Sequence, residues 1–348
     1  MMNIVPPHCA VPFAMKTRFL RHPGSYPHAP ADVEFIETHF ACVFLAGRYA
    51  YKLKKPIRFY EIDFTTVELR RTYCELEFTL NMRLAEAVYI AVVPLLSTGK
   101  TLTIDSAAGG TIVDWLVKMH RLPRERMLDA RAAAGPIGQE ELRELVAKLV
   151  AYYARAHRAA WDGPEYLRRL ELETRQRRTE LLAYESSLGE CPIERIVAGQ
   201  VEFLQVFAKT LEARCAAGRI VDAHGDLRPE HILLGENPQI IDCLEFSAAL
   251  RLLDTAEEIM FLALECEQLD RADLAHEITA LYRELSGDFV SQNLLDFYSS
   301  RRAMVRALIC VRHLDEPMDE DLRRRWIERG HGYLAKALDA ITHALAVS

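Results

Sequence analysis

Residues 219–246, RIVDAHGDLRPEHILLGENPQIIDCLEF, decide the fold. They read as a short strand, a loop, a second short strand, a turn at 235–238 and a third short strand. Two features inside this island carry chemistry. One is the octapeptide His224-Gly225-Asp226-Leu227-Arg228-Pro229-Glu230-His231; the other is the pair Ile241-Asp242 beyond the turn. Two aspartates thus stand on opposite sides of a hairpin.

Working outward, the flanking pattern is helical. Downstream, Asp254 reads as an N-cap with Glu257 three residues on, a capping-box variant, before the apolar run EIMFLAL. Upstream, Leu142, Leu145, Val146, Leu149, Tyr153 and His157 share one face of a helix over about 139–160. Residues 165–180 mix both charge signs and read as a solvated helix, and a further amphipathic helix is expected from Ile196 to a capping Gly218. The first third is different. After an irregular leader over 1–30, VEFIETHF and ACVFLAGRYAYKLKK carry strand patterning, with Gly47 at a tight turn. Residues 66–84 are helical, strand character returns in VYIAVVPLL and TLTI, and the apolar TIVDWLVKM follows. The expectation is an α+β, two-lobed chain. A small N-lobe over 31–119 holds a five-stranded antiparallel sheet with one helix. A larger, mostly helical C-lobe over 120–348 contains the loop 224–231 and the strand end 241–246.

Moving a phosphoryl group to a hydroxyl needs one carboxylate beside the attacking oxygen and another holding Mg²⁺ against the phosphates. The kinase signature H-R-D-L-x-x-x-N puts the first on a loop between strands and the second just beyond a hairpin. HGDLRPEH fits that frame except at its last position, which casts Asp226 as catalytic base and Asp242 as the main Mg²⁺ ligand. HGDL, and the acidic residue after an apolar strand, resemble the aminoglycoside phosphotransferase (choline kinase-like) family. YPH, ETHFACVFLAG, YKLKKP, LNMRLA, KMHRLP, HGDLRPEH and DCLEF together resemble, more narrowly, an uncharacterised bacterial phosphotransferase-like family. Members of that family are often fused to a C-terminal P-loop ATP-binding domain. The resemblance covers about residues 16–315. It implies a bilobal protein-kinase-like fold, ATP and Mg²⁺ as cofactors, and transfer of the γ-phosphate to an alcohol group, most simply on a small-molecule acceptor.

By the same parallel the N-lobe holds the nucleotide. Tyr49-Ala50-Tyr51-Lys52 matches the V-A-I-K strand, making Lys52 the candidate for the α- and β-phosphates. Lys54, two residues on, faces the same side and competes with it. The partner carboxylate comes from the next helix, Glu77 first and Glu75 second. Residues 38–42, where a phosphate-covering loop belongs, lack G-x-G-x-x-G. Residues 115–119 fall at the expected hinge, with Met119 against adenine or, equally, in a plain core strand. His231 stands where such kinases carry a metal-binding asparagine. It is either a ligand or a structural histidine, and imidazole suits Mg²⁺ poorly, so either a single metal suffices, or Glu230 substitutes, or activity is weakened or absent. Arg228 lies where the loop resembles the D-L-K-P-E of eukaryotic-like protein kinases. A cation there neutralises the transferring phosphate or pairs with an acidic neighbour. Arg301, Arg302 and Arg306 read as surface salt-bridge residues, or as one wall of an acceptor cleft.

The 348 residues carry a net charge of -7, which argues against general affinity for nucleic acid or anionic membrane. The eight cysteines are scattered, without a CxxC pair, and read as reduced thiols; the proline-broken N-terminus is neither a signal peptide nor a membrane span, so the expected address is the cytoplasm. Gly99-Lys100-Thr101 imitates a P-loop end, but Pro94 occupies the position of the required glycine. Oligomeric state has no signature. Two rivals stay open: a nucleotide-binding pseudokinase with a regulatory or scaffold role, motivated by His231 and the glycine-poor loop, and a protein kinase, motivated by DLRPE.

Overall fold

The computed structural model describes residues 11–59, 62–104 and 109–346. The chain forms two compact units: residues up to Ala130 with His231–Ala248, and Arg131–Glu230 with Ala249 onward. Cys9 and prolines 6 and 7, which bear on the N-terminal reading, lie outside the described residues.

In the first unit, helix α1 (Phe13–Leu20) precedes strands β1 (Val33–Glu37), β2 (Ala41–Ala46) and β3 (Tyr49–Lys54). A short antiparallel pair, β4 (Arg58–Phe59) with β5 (Ile62–Asp63), leads to helix α2 (Val67–Asn81), which Thr66 caps by accepting the Leu69 N–H. Strands β6 (Tyr89–Ser97), β7 (Leu102–Thr103) and β8 (Thr111–His120) complete an antiparallel sheet in the order β1-β2-β3-β8-β6-β7. That is six strands rather than five. The return expected at TLTI is β7, where the chain turns at Gly99 with φ +84° and Leu102 and Thr103 pair back onto Ser97 and Leu96, and the additional strand is the apolar run TIVDWLVKM, which forms β8 between β3 and β6. Residues 115–119 lie inside β8, not beyond it.

Alternation along the strands splits the core in two. Phe44, Tyr51, Leu53, Leu95 and Leu116 pack with Leu20 of α1 on one face. Ala50, Val88, Tyr89, Val117 and Met119 pack with Cys74 of α2 on the other. Lys52 pairs in register with Val43 and Val117, so it projects toward the α2 face. Gly47 turns β2 into β3 at a φ of +58°.

The helical unit begins within α3 (Leu128–Ala134) and continues with α4 (Gln139–Arg155). The expected helix to 160 stops early because residues 157–159 pair as extended chain with β9 (Ile220–Asp222): Asp222 N–H donates to the His157 carbonyl at 2.7 Å and Ala159 N–H to that of Ile220 at 2.9 Å. The charged helix is α5 (Gly163–Leu182), followed by the single turn α6 (Glu185–Leu188). In place of one helix over 196–218 there are two, α7 (Ile193–Val206) and α8 (Ala208–Ala216). They are divided at Phe207, whose ring stacks on Phe203 at 4.4 Å.

After β9 the chain re-enters the first unit as the hairpin β10 (Ile232–Leu233) and β11 (Gln239–Ile240), then returns through α9 (Ala248–Arg251) and β12 (Leu252–Asp254), which pairs with β9. Helix α10 (Thr255–Glu267) is buried from Thr255 through Cys266 and forms the axis of this unit, followed by α11 (Ala272–Ser286), α12 (Gln292–Arg312) and α13 (Glu320–Ala346). Asp254 caps α10 by accepting the Ala256 N–H at 2.8 Å, but Glu257 turns toward α12 instead of closing a capping box. Among the described residues all seven cysteines are thiols, and no helix is long and apolar enough to cross a membrane.

Candidate functional site

The sheet-bearing unit holds a chain of alternating charges. Lys52 and Lys54 leave β3 on one face, and Glu77, on the buried stripe of α2 with Arg70, Cys74 and Asn81, meets both. Glu77 is 0% exposed, with Lys54 Nζ at 2.6 Å from Oε2 and Lys52 Nζ at 2.9 Å from Oε1. The first contact is an aligned hydrogen bond; the second is a charge contact without that alignment. Each lysine takes a second carboxylate: Lys52 donates to Asp242 Oδ1 at 2.6 Å and Lys54 to Glu245 Oε1 at 2.6 Å. The choice between the two lysines thus dissolves, because Glu77 bridges them. Glu75 lies on the other side of α2 in a solvent-exposed pair with Arg71.

Burial disfavours charge on Lys52, but Asp242, Glu77 and Glu245 outweigh it and hold the ammonium well above its usual range. Lys54 is raised in the same way, burial being outweighed by Glu245 and Glu77. Burial would lift Glu77, yet Lys52 and Lys54 pull its carboxyl below the usual range. All three are charged near neutrality. Three carboxylates against two ammoniums leave the cluster one negative charge in excess.

Asp242 adopts a left-handed backbone with φ +62°, a conformation that aspartate tolerates better than most residues and that is found where surroundings enforce it. Three contacts enforce it here. The Ile241 N–H donates to the His231 carbonyl at 2.9 Å, the Asp242 N–H approaches the Tyr89 hydroxyl at 3.4 Å, and the Cys243 N–H donates to Asn81 Oδ1 at 2.9 Å. Asn81 in turn donates to the Glu77 carbonyl at 2.8 Å, so the end of α2 and the turn after Asp242 are one assembly. The Asp242 side chain is 40% exposed, the most open of the three carboxylates, and its hard oxygens with the excess negative charge fit Mg²⁺. The His231 imidazole, largely buried, stands 3.5 Å from Asp242 Oδ2 and is the poorer match for that ion. Met119 is buried between Ala50 and Tyr89 of the neighbouring strands, as a core residue of β8.

The octapeptide is divided between units at its last peptide bond: residues 224–230 belong to the helical unit and His231 to the other. Gly225, with φ +85°, turns its N–H to Glu258 Oε1 at 2.7 Å, and the His224 N–H reaches Oε2 at 3.1 Å. Tyr153 donates to the same oxygen at 2.8 Å. Glu258 is thereby a clamp on the loop, and burial raises its carboxyl above the usual range despite these donors. Asp226 follows, its Oδ2 accepting from Arg228 Nε at 3.1 Å, while Arg228 Nη1 pairs with Glu230 at 2.6 Å. Arg228 therefore steadies two carboxylates of its own loop. Sequence reasoning missed Glu258 and Asn81. A carboxylate within the otherwise apolar EIMFLAL is the signal for the first; Asn81 has none, since its partner is 162 residues away.

Arg301, Arg302 and Arg306 are buried rather than on the surface, paired with Glu173, Glu257 and Glu265. Burial opposes charge on Arg306, but Glu265, Tyr333 and Asp226 outweigh it.

Known proteins give this geometry a context. An uncharacterized protein of Mycobacterium tuberculosis strain H37Rv and one of Mycobacterium bovis are each 33% identical over 292 residues, which is 82% of this chain and 57% of theirs. The chain thus spans little more than half the length of these curated relatives. A choline/ethanolamine kinase family protein from Mesorhizobium loti superposes with a TM-score of 0.50 at 16% identity, covering 94% of this chain and 99% of its own. A putative aminoglycoside phosphotransferase from Ralstonia eutropha gives 0.50 at 12% identity, covering 95% and 98%. At such identities the likeness concerns the fold alone, and it is the expected kinase-like one of antiparallel sheet and helices. The model of one family, described as the phosphotransferase enzyme family, matches residues 101–287. With more than half its length inside that match, the chain belongs to the phosphotransferase enzyme family.

Proposed function

We propose that this protein is an ATP-dependent phosphotransferase that moves the γ-phosphate to a hydroxyl of a small-molecule acceptor. The observation that carries the reading is the Asp242–Lys52–Glu77–Lys54–Glu245 chain, in which an exposed carboxylate and a fixed ammonium meet on one unit. In this reading Lys52, held by Glu77, takes nucleotide phosphates, with Met119 near the base. Asp242 holds Mg²⁺, which supplies Lewis-acid neutralisation of the phosphates when bound, and His231 supports Asp242. Asp226 orients the acceptor hydroxyl and receives its proton, with Arg228 fixing the carboxylate. Family membership supports phosphotransfer as the reaction class, and the names of the two solved relatives, a choline/ethanolamine kinase family protein and a putative aminoglycoside phosphotransferase, suggest a small acceptor. A cytoplasmic setting, where MgATP is abundant, belongs to the same proposal.

The test is MgATP binding and ATP turnover in wild type and Asp226→Ala across a broad acceptor panel. Nucleotide binding with turnover abolished in the variant supports the enzyme. Binding with no turnover that responds to the mutation favours the pseudokinase, and phosphorylated proteins without phosphorylated metabolites favour a protein kinase.

A further inference from the structure

The helical unit buries guanidinium groups whose hydrogen bonds its own carboxylates do not complete. Arg169 and Arg177 of α5 and Arg301, Arg302 and Arg306 of α12 surround Glu173, Glu257, Glu258 and Glu265. Asp226 adds a fifth carboxylate that acts on Arg306, and burial holds the Glu258 carboxyl above the usual range. Arg177 is pushed down to about 10 by burial and by Arg301. Hydrogen bonding falls short in the same region. Nε of Arg169, Nη1 of Arg177, Nε of Arg301, and both Nε and Nη2 of Arg302 are buried without an acceptor among the described residues. Buried donors without acceptors are costly, and charged ones more so.

Arg302 is the extreme case. It is 5% exposed, and the carboxylate nearest it, Glu257, stands 3.4 Å away without hydrogen-bond alignment and is shared with Arg301 at 3.7 Å. Its two orphaned nitrogens, Nε and Nη2, form one edge of the guanidinium, the edge that presents two parallel N–H groups to a carboxylate or phosphate. One turn along α12, Arg306 lies over the same Phe261 ring as Arg302, at 5.9 and 5.1 Å. This pair adjoins the HGD loop electrically. Asp226 favours the charge on Arg306 against burial, and burial raises the carboxyl of Glu258, the clamp on Gly225 and His224, against the pull of Arg302.

We propose that Arg302, with Arg306 beside it, forms a subsite for a carboxylate or phosphate group carried by the acceptor, so that the acceptor is a hydroxylated anion. The proposal rests on the phosphotransferase reading and narrows its substrate class. An anion there satisfies both orphaned donors of one guanidinium; admitting it requires the surrounding side chains to part.

The test uses the full chain. Thermal unfolding is followed with inorganic phosphate, with acetate and with sodium chloride at matched ionic strength, in wild type, Arg302→Met and Arg302→Lys. Phosphate or acetate is expected to raise the wild-type midpoint beyond the chloride control, and at least about half of that shift is lost in Arg302→Met. A shift with phosphate alone assigns the group as a phosphate; a shift with acetate assigns a carboxylate. No shift beyond chloride, or an equal shift in wild type and Arg302→Met, overturns the subsite. Arg302→Lys keeps the charge but not the two-pronged edge, so it guards against a methionine variant that does not fold, and it too loses the shift. MgATP binding is measured on the same samples: its absence in wild type strikes the phosphotransferase reading and leaves the anion result readable. In turnover assays with hydroxy acids and sugar phosphates against amino alcohols, Arg302→Met is expected to raise the KM of an anionic acceptor about tenfold with that of ATP unchanged. Turnover with amino alcohols only overturns the proposal.

Discussion

Replacing Glu77 by glutamine removes one charge from a fully buried carboxylate that bridges Lys52 at 2.9 Å and Lys54 at 2.6 Å. Taking one partner from a buried ion pair costs about 3–5 kcal/mol when the remaining charge has nowhere else to turn. Here each lysine keeps a second carboxylate at 2.6 Å, and glutamine retains one acceptor oxygen. The expected loss is therefore smaller, about 2–3 kcal/mol. Urea unfolding at neutral pH measures it, with Glu75→Gln as the control. Glu75 sits in an exposed pair with Arg71, and its loss is expected to cost no more than about 0.5 kcal/mol. A pH series adds a signed test. Burial works against the Glu77 charge, but Lys52 and Lys54 overcome it, so the folded carboxyl binds a proton less readily than the unfolded one. Its stabilisation is complete above the unfolded value of about 4.3 and drains away as pH falls through the lower folded value. The gap between wild type and Glu77→Gln thus narrows on the acid side. A neutral-pH loss under about 1 kcal/mol, or a gap that widens with acid, refutes the account.

Other consequences can be checked separately. Asp226→Asn is expected to lower turnover by about a hundredfold to ten-thousandfold, the span of general-base contributions, while MgATP binding measured by calorimetry stays unchanged. Asp242→Asn keeps a residue tolerant of left-handed backbone but removes the charge beside Lys52; it should weaken nucleotide binding in the presence of Mg²⁺ far more than in its absence. Glu258→Ala strips acceptors from Gly225, His224 and Tyr153 and should destabilise the protein by about 2–4 kcal/mol, read by denaturant titration. Because burial raises the Glu258 carboxyl, Glu258→Gln is expected to be milder than Glu258→Ala.

What the chain announces locally it announces well. The period-two runs over β1, β2 and β3, the helical spacing of α2 and the HGD loop with an aspartate beyond a hairpin are all set by neighbours a few residues apart, where side-chain direction follows backbone period. Two departures from the local pattern sit where distant groups intervened: residues 157–159 leave the helix to pair with β9, and Glu257 leaves its capping box for Arg302. The fold alone decided that Glu77 rather than Glu75 points inward, that Lys52 and Lys54 share it, and that Asp242 and Glu245, 190 and 191 residues from their lysines, complete the pairs. It also decided that α12 buries its arginines. The physical reason is range. Periodicity tells which face of an element seeks the core, whereas a buried charge is defined by whichever opposite charge packing brings within about 3 Å, and no local pattern encodes that partner.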